Sequence, residues 1–410
     1  MILIQLIWMI IKDVSVSIFS PLLWIVIIFI LIQYRKNIEL EREMLGKERN
    51  SLKEQILDSV FYGFAAGILG SIVMVFLGIT IDNIGIEYVF PLAIFLMFIN
   101  PRYICFSYAG GIVSIISLLT GFPSINVAGL MAVVGILHLM ESMLIYIDGA
   151  VNSIPVFVQT DNGKIAGAYI MKKFWPIPFV ALVTVSAAAS GIDLFRMPEW
   201  WPLFRTDAGL NSIIYSLYSI IAVLGYGDIA LTEVPEKRAK VSSRRLFVFS
   251  ILLILLSVGG IKYILFRWAA AIFGPLAHEF LIIKGQRDEK EKKPMFEVPD
   301  NGIMVLSVLK NSPAEQMGIK PGDIIVKIND MFVNSEEDIA RVLSTEPSIV
   351  WIVVKESDGN YINYEYRNYK GVKGIGILIV PTYSDKVYRL NDMENGGLIK
   401  RFFDKINKKK

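Results

Sequence analysis

The sequence is poor in the residues on which most catalytic and metal-binding sites depend. Its 410 residues include one cysteine and two histidines, and only 19% of them carry a charge. The single cysteine, Cys105, excludes an internal disulfide and a cluster of thiolate ligands, and its apolar neighbours are typical of a small buried side chain. The formal net charge of +3 gives no reason to expect binding of nucleic acid.

The two histidines do not form a recognisable catalytic motif. A membrane metalloprotease needs a second histidine one helical turn after the first, with a glutamate beside the first. The best match, His278-Glu279-Phe280-Leu281-Ile282, has isoleucine at the second ligand position. The stretch AAASGID around Ser190 is similar to a serine-protease turn, but neither histidine lies in a plausible partner segment. The sequence therefore predicts no enzyme, no metal site and no cofactor.

Long apolar runs dominate the first two thirds of the chain. Hydrophobic residues make up 54% of the sequence, which indicates a membrane protein in contact with the lipid bilayer. Because a helix crosses a bilayer in roughly 20 residues, these runs predict a transmembrane region over residues 1–283 with about seven to nine spans. The candidate spans are 14–34, 57–81, 86–100, 103–120, 125–147, 175–192, 209–231 and 246–266, with a shorter run at 269–283.

Basic residues are concentrated in three connecting stretches, 35–53, 237–245 and 284–293. Lysine and arginine favour cytosolic loops, so all three stretches are predicted to lie on the cytosolic side of the plasma membrane. This arrangement requires residues 246–283 to cross the bilayer twice or to re-enter it. The mixed charges of residues 35–56 predict a solvated cytosolic helix.

Two ionisable residues share one helix face inside a predicted span. His138 and Glu141 are three residues apart, and such groups are costly in a bilayer unless they have partners. A structural hydrogen bond between helices is the favoured explanation. A transport or proton-relay role of the pair is the alternative.

Residues Ile221–Asp228, IAVLGYGD, are similar to the selectivity filter of a potassium channel. Such a filter combines backbone carbonyls with a threonine hydroxyl, but Val223 occupies the threonine position here. The basic stretch that follows also places the motif on the cytosolic side, whereas a filter lies near the outer face. The glycines are instead predicted to end a helix at the inner boundary of the membrane.

Residues 154–171 differ from the apolar runs on either side. Two β-prone runs flank Asp161-Asn162-Gly163, and an Asn-Gly pair readily adopts the positive φ angles of a tight turn. This segment is predicted to form a small β-hairpin at the membrane surface.

The chain changes character near residue 295, where the apolar runs shorten to strand length. Ser312 can cap a short helix that Pro313 begins and Gly318 ends, and Pro321-Gly322 suits the centre of a tight turn. The stretch GIMVLSVLKNSPAEQMGIKPGDIIVKIND resembles a PDZ domain. The resulting domain plan is a charged linker at 284–294, a PDZ domain at 295–382 and a basic tail at 383–410.

A PDZ domain binds a peptide end as an added strand between a sheet edge and a helix, and a glycine-rich loop holds the terminal carboxylate. Too little chain precedes Gly302 to supply that loop, so the resemblance implies the circularly permuted bacterial form, an α+β fold with a small, partly open β-barrel and two helices. The predicted groove residues are Lys373, Gly374, Ile375 and Gly376 of the loop, Ile377 and Ile379 of the accepting strand 377–380, and Ile339, Val342 and Leu343 of the helix 336–343. In the alternative, the tail at 383–410 covers this edge and the groove binds nothing.

The whole chain resembles the MinJ family of membrane proteins, the topology factors of the Min system in Gram-positive rods. The resemblance is carried by PVFV and KKFWPIP around the hairpin, MPEWWPL, VLGYGDIALT before a basic stretch, FGPLAHEFLI, and the PDZ segment. It covers nearly the full length of the sequence.

This resemblance implies a non-enzymatic adaptor of the plasma membrane that is enriched at division septa and cell poles, with its PDZ domain in the cytosol. Its implied partners are a DivIVA-like scaffold, a MinD-like ATPase and other components of the division machinery, and the sequence leaves open whether it forms a homo-oligomer. Two other functions remain open at this point: a regulatory partner of an envelope protease, and a transporter of ions or small molecules that uses His138 and Glu141.

Overall fold

A computed structural model describes residues 2–160, 162–186, 201–204, 213–356 and 358–389. The first part of the chain is mainly helical and the last part is mainly β-sheet. The stretch around Ser190, which is similar to a protease turn, lies outside the described residues.

Eight α-helices are found among the described residues of the membrane region. They are α1 (Ile2–Val16), α2 (Pro21–Leu45), α3 (Leu52–Leu77), α4 (Ile86–Ile99), α5 (Phe106–Thr120), α6 (Val127–Asp148), α7 (Pro235–Lys262) and α8 (Ile264–Glu291). Within the described ranges, five of these helices are long and apolar enough to cross a membrane, namely α2, α3, α6, α7 and α8, while α4 and α5 are shorter apolar helices. Among them α6 is the most enclosed, since most of its side chains are buried against its neighbours.

Three strands interrupt the helices between α6 and α7. They are β1 (Ile154–Gln159), β2 (Ile165–Ser186) and β3 (Ile213–Ala230). β1 and β2 pair antiparallel across the turn that contains Asn162 and Gly163, and β2 and β3 then pair antiparallel from Tyr169↔Ala230 to Ser186↔Ile213. The segment at 154–171 thus forms a hairpin that continues into a much longer one.

The predicted helical spans at 175–192 and 209–231 are therefore wrong over their described residues, which are strands. Pro176 and Pro178 disfavour a helix because proline lacks an N–H group and clashes with the preceding turn. Gly225–Asp228 lie within β3, so the predicted helix end at this motif is also wrong. Residues 187–192 and 209–212 lie outside the described part of the chain.

Beyond β1, the outer edge of β2 faces helices, and side chains from those helices bond to its backbone. This matters because an unpaired sheet edge is costly where water is scarce. Ser71 on α3 is fully buried, and its hydroxyl accepts a hydrogen bond of 2.7 Å from the Val180 N–H. Other helix side chains that bond to this edge are Asn37, to the Lys172 carbonyl, and the hydroxyls of Tyr34 and Ser59, to the Phe174 carbonyl. After the end of α3, the Ile81 N–H donates to the Leu182 carbonyl and the Asp82 carboxylate accepts from the Thr184 N–H.

Between these bonds, two prolines meet two glycines. Pro176 and Pro178 have no N–H groups to satisfy. Their carbonyls lie so close to α3 that a Cβ atom at Gly63 or Gly67 would be 2.1 or 2.0 Å from the respective oxygen. The small residues of α3 therefore let the helix lie directly on the strand edge.

The predicted solvated helix at 35–56 is not a separate element. Residues 35–45 extend α2, Gly46 ends it with φ +74°, and α3 begins after the Ser51 capping box. Residues 35–45 are thus helical as predicted, but they continue the apolar helix α2 instead of forming a helix of their own, and their cytosolic position stays a prediction.

Helices α7 and α8 form a helical hairpin that turns at Tyr263. Their charged ends meet, with Arg245 and Asp288 2.6 Å apart. Arg238 lies between two carboxylates, 2.8 Å from Asp228 and 3.2 Å from Glu289. The aspartate of the GYGD motif thus joins the end of β3 to α7, and Arg238 in turn pairs with Glu289 of α8.

The C-terminal part carries a second sheet with two short helices. Its elements are β4 (Phe296–Glu297), β5 (Ile303–Val308), α9 (Pro313–Met317), β6 (Ile324–Ile328), β7 (Met331–Phe332), α10 (Glu336–Leu343), β8 (Ile349–Lys355), β9 (Tyr361–Arg367), β10 (Ile377–Ile379) and β11 (Val387–Arg389). The strand order of the second sheet is β10-β5-β6-β8-β9, with β7 beside β6, while β4 and β11 belong to the first sheet.

The C-terminal sheet is attached to the membrane region by several contacts. β4 pairs with β2, and β11 pairs in parallel with β1. The Tyr169 hydroxyl donates to the Leu306 carbonyl, and Leu306 packs where a side chain at Gly167 would otherwise lie. The hydrophobic core of the membrane region therefore extends into the C-terminal part through Phe296, Leu306 and Val380, while the second sheet also packs around a core of its own.

Candidate peptide-binding site

β10 lies at one edge of the second sheet. Its partner is β5, and the Gly376 carbonyl and the Val380 N–H both bond toward that strand, at 2.9 and 3.0 Å. Because the backbone groups of a strand alternate in direction, those of Ile377 and Ile379 point away from β5. This is the edge at which a peptide strand can be added.

The loop before β10 presents backbone N–H groups. Among the residues that the structure describes, no acceptor bonds to the N–H groups of Gly374, Ile375 and Gly376. Gly376 has φ +75°, and a Cβ atom there would lie 2.3 Å from the Ser312 Cβ, so this position requires glycine. Successive free N–H groups form a concavity that suits a carboxylate.

A positive charge stands beside this loop. Lys373 has 76% of its side chain exposed, and its Nζ lies 3.4 Å from a carboxylate oxygen of Glu346. An exposed pair of this kind is weak, so the lysine can turn toward an incoming anion at little cost.

The opposite wall is α10. Ile339, Val342 and Leu343 are 8%, 5% and 6% exposed and pack in one cluster with Ile375 and Ile379 of the loop and strand. These apolar side chains form the floor between helix and strand, which they share with the domain core. Ile377 is partly buried against the same cluster.

A capping box fixes the start of α10. The Ser335 hydroxyl accepts from the Asp338 N–H at 3.2 Å, and the Asp338 carboxylate accepts from the N–H groups of Asn334 and Ser335 at 3.0 and 3.1 Å. The bond from Asn334 is the main reason that the pKa of Asp338 lies below its usual range, and the Ser335 contacts and nearby Arg341 act in the same direction.

The structure brings the predicted groove residues together: five of the nine form one buried cluster, Ile377 adjoins it, and Lys373, Gly374 and Gly376 form the loop at its end. Whether they bind a peptide stays a prediction. The alternative placed the tail over this edge, but its described part ends in β11, which pairs with β1 of the other sheet. Residues 390–410 lie outside the described chain.

Sequence reasoning missed a second convergence of residues. The chain's single cysteine and both histidines meet between helices: Cys105 Sγ lies 3.0 Å from His138 Nε2 and 3.8 Å from His278 Nε2. Glu141, expected to pair with His138, has no hydrogen-bond partner among the described residues, and His138 bonds instead to Cys105 and to the Val134 carbonyl. The one available signal was that all three rare residues occur in apolar runs.

Comparisons with known proteins agree with this architecture. A PDZ domain model matches residues 304–356. The cell division topological determinant MinJ of Bacillus subtilis is 25% identical over 248 residues, which is 60% of this chain and 60% of that protein. A probable MinJ of Lacticaseibacillus paracasei is 25% identical over 83 residues, or 20% of this chain and 23% of that protein.

Two further similarities concern short stretches. The periplasmic serine endoprotease DegP of Salmonella typhimurium is 34% identical over 61 residues, only 15% of this chain and 13% of the protease. A solved PDZ domain of an SdrC-like protein from Listeria monocytogenes has a TM-score of 0.18 and 24% identity, covering 20% of this chain and 93% of that one. The chain is thus similar to MinJ proteins, of which it spans 60% in the Bacillus case, and it contains a PDZ domain.

Proposed function

We propose that the protein is a membrane-anchored adaptor that brings regulators of cell division to septa and poles. The observation that carries the proposal is the open β10 edge with its free N–H groups, held beside five helices suited to a membrane. Anchoring a peptide-binding module to a bilayer raises the local concentration of its partners. The similarity to MinJ division determinants supports division as the process.

The proposed partners are a DivIVA-type scaffold and a MinD-type ATPase, with other division components in addition. Their identities rest on the family resemblance. The chemistry that the groove favours is an extended peptide with a free C-terminal carboxylate and apolar side chains, because the groove has free N–H groups, Lys373 and an apolar floor.

We further propose the circularly permuted form of the PDZ fold, as a small, partly open barrel. The accepting strand β10 is late in the sequence yet pairs with β5, near the start of the domain. The carboxylate loop at 373–376 accordingly follows β9 instead of preceding β5.

The proposed orientation puts the PDZ domain in the cytosol. The charged ends of α7 and α8 meet, and α8 leads directly into β4. The loop after α2 lies at the same end, since Lys310 of the PDZ domain bonds to Asn50 and Lys386 lies 3.6 Å from Glu43. All three basic stretches therefore gather around the PDZ domain, as the cytosolic bias of lysine and arginine favours.

The test is imaging of the fluorescently tagged full-length protein in its own dividing cells, beside the Gly376→Ala variant and a chain cut before Pro294. A Cβ atom at Gly376 would strain this positive-φ position and clash with Ser312, so partner recruitment should fall. Gly359→Ala is the matched control, because Gly359 also has a positive φ, +91°, but has nothing within 4 Å.

Enrichment of the intact protein at septa, recruitment of division proteins lost in Gly376→Ala, and normal behaviour of Gly359→Ala would support the adaptor. A uniform membrane signal together with normal division in cells that lack the gene would refute it. Co-purification of an envelope protease in place of division proteins would favour the regulatory alternative.

A further inference from the structure

We propose that Cys105, His138 and His278 form a binding site for a borderline-soft transition-metal ion, with Zn²⁺ as the ion of choice. The site lies inside the membrane region, away from the peptide groove. It would join three elements that are far apart in sequence: the start of α5, the middle of α6 and the middle of α8.

The composition of the site is the first argument. The chain has a single cysteine and two histidines among 410 residues, and the three ligand atoms lie within 4.8 Å of one another. The set includes every thiol and imidazole that the sequence offers. An apolar helical bundle has no packing reason to collect these three side chains at one point.

The distances suit a tetrahedral ion after small shifts. With Zn–S near 2.3 Å and Zn–N near 2.05 Å, tetrahedral ligands lie roughly 3.3 to 3.6 Å apart. The two sulfur-nitrogen distances here, 3.0 and 3.8 Å, lie on either side of this range. Rotation of the cysteine and histidine side chains is enough to equalise them.

Hydrogen bonds orient both imidazoles with Nε2 toward the thiol. His138 Nδ1 lies 2.8 Å from the Val134 carbonyl, which can only accept, so the ring proton is on Nδ1. His278 Nδ1 lies 3.3 Å from the Tyr108 hydroxyl, which itself donates to Glu279 and therefore accepts from the histidine. Both Nε2 atoms thus have lone pairs directed at Cys105, as metal-ligating histidines do.

In the absence of a cation, the thiol and the two Nε2 atoms have too few hydrogens to bond to one another. Two imidazole lone pairs and one sulfur face each other, and the single thiol hydrogen can bond to only one nitrogen. Within the described part of the chain, His278 Nε2, the more distant nitrogen, then has no hydrogen to accept. A metal ion resolves the mismatch: the thiol releases its proton, and the thiolate and both nitrogens donate to the ion.

The residues around the three ligand atoms also suit a metal ion. Three protein ligands leave a fourth tetrahedral position that water can fill, since Glu141, one turn after His138 on α6, is not among the three converging residues. Phe249 packs edge-on against both histidine rings, at 5.3 and 5.8 Å, and limits the entry of water. A thiolate with two imidazoles selects Zn²⁺ or copper over Mg²⁺ and Ca²⁺.

The experiment uses the full-length protein, purified in detergent with an affinity tag that contains no histidine, from cells supplied with zinc. Elemental analysis should give about one Zn²⁺ per chain, as a pre-formed three-ligand site predicts. Cys105→Ser and His278→Gln should each lose the stoichiometric ion. Ser142→Ala is the control, because the hydroxyl of this buried serine on α6 donates to the Leu139 carbonyl of its own helix, and the bond that the Ser142 carbonyl accepts from Ser243 is kept in the variant.

A second measurement needs no variant. Cys105 is the sole thiol, so modification by a membrane-permeant maleimide reports this site alone. Labelling of the wild type should be slow with Zn²⁺, faster after chelation, and slow again when Zn²⁺ is restored. Co²⁺ in place of Zn²⁺ should give a thiolate charge-transfer band that Cys105→Ser lacks.

Three outcomes would overturn the proposal. They are a wild-type protein with no bound metal and with labelling indifferent to Zn²⁺, equal metal content in wild type and both ligand variants, and bound metal that leaves Cys105 freely reactive. If Cys105→Ser fails to fold, the wild-type labelling series and the Co²⁺ spectrum still decide between the outcomes.

Discussion

At the scale of single residues, Asp338 is the side chain on which the start of the groove helix depends. Its carboxylate accepts from Asn334 and Ser335, which holds its pKa below the usual value of 3.8. Stabilisation by such a group is complete above the pKa of the unfolded chain and disappears as the pH falls through the lower pKa of the folded chain.

The difference in α10 stability between the wild type and Asp338→Asn should therefore be constant from pH 7 to about 5 and should shrink below about pH 4. Amide hydrogen exchange of α10 in the full-length protein, corrected for the intrinsic rate at each pH, measures it. Glu337→Gln, on the same turn but outside the capping box, is the control. An equal difference at pH 3 and pH 7 would contradict the role of the carboxylate.

Residues also differ in how far they could be predicted. The groove residues from Lys373 to Ile379 could be predicted because a PDZ domain specifies its turns and strands over short sequence distances, and their role in peptide binding stays a prediction. The Cys105, His138 and His278 cluster was missed because it depends on how three separate helices approach each other. Local patterns do not determine such long-range contacts.

At the scale of elements, the edge of β2 depends on side chains from α3. Ser71→Ala removes the acceptor for the buried Val180 N–H, and an unsatisfied buried donor costs about 1 to 3 kcal/mol. Ser114→Ala is a matched control, because Ser114 is also fully buried but its hydroxyl has no partner within the described chain. Equilibrium unfolding by SDS in mixed micelles should show a loss only for Ser71→Ala, and equal losses would refute this account.

The same strand explains the error in the predicted spans. Hydrophobic length identifies a segment that avoids water, and both strands and helices can satisfy that criterion. Pro176 and Pro178 of β2 are evidence against a helix. The sequence alone did not show that their carbonyls pack against Gly63 and Gly67 of α3. Residues 246–283 were predicted to cross the bilayer twice or to re-enter it, because charge lies at both ends; the structure shows two helices that turn at Tyr263, and the crossing itself stays a prediction.

At the scale of the whole molecule, Arg238 joins the first sheet to the helices that lead to the PDZ domain. Its side chain is 4% exposed and lies between Asp228 and Glu289. Asp228→Asn should lower the free energy of unfolding by up to about 3 kcal/mol, the lower end for a broken buried pair, because Glu289 still pairs with the arginine.

The exposed pair of Arg287 and Glu291 provides the comparison, with 71% and 60% of the side chains accessible. Glu291→Gln should change the free energy of unfolding by less than about 1 kcal/mol, as surface ion pairs usually do. SDS unfolding measures both variants. A loss in Asp228→Asn no larger than in Glu291→Gln would show that the GYGD aspartate does not hold these elements together.

The attachment of the PDZ domain to the membrane region fixes where the groove points, and Gly167 lies at one of its contacts. A Cβ atom at Gly167 would lie 2.5 Å from Leu306 and 3.1 Å from Phe296, both fully buried. Gly167→Val should therefore separate β4 and β5 from β2 without altering the groove itself. Residues 296–308 should then exchange amide hydrogens faster, and α10 should keep its protection.

Gly227→Val tests the same substitution where the first sheet has open space, since nothing lies within 4 Å of that position. Faster exchange at 296–308 in both variants would mean that valine disturbs the sheet in general. If Gly167→Val alone releases the domain and also reduces septal enrichment in cells, then recruitment depends on the orientation of the groove and not only on its presence. Normal enrichment of a released domain would show that a flexible tether to the membrane is sufficient for recruitment.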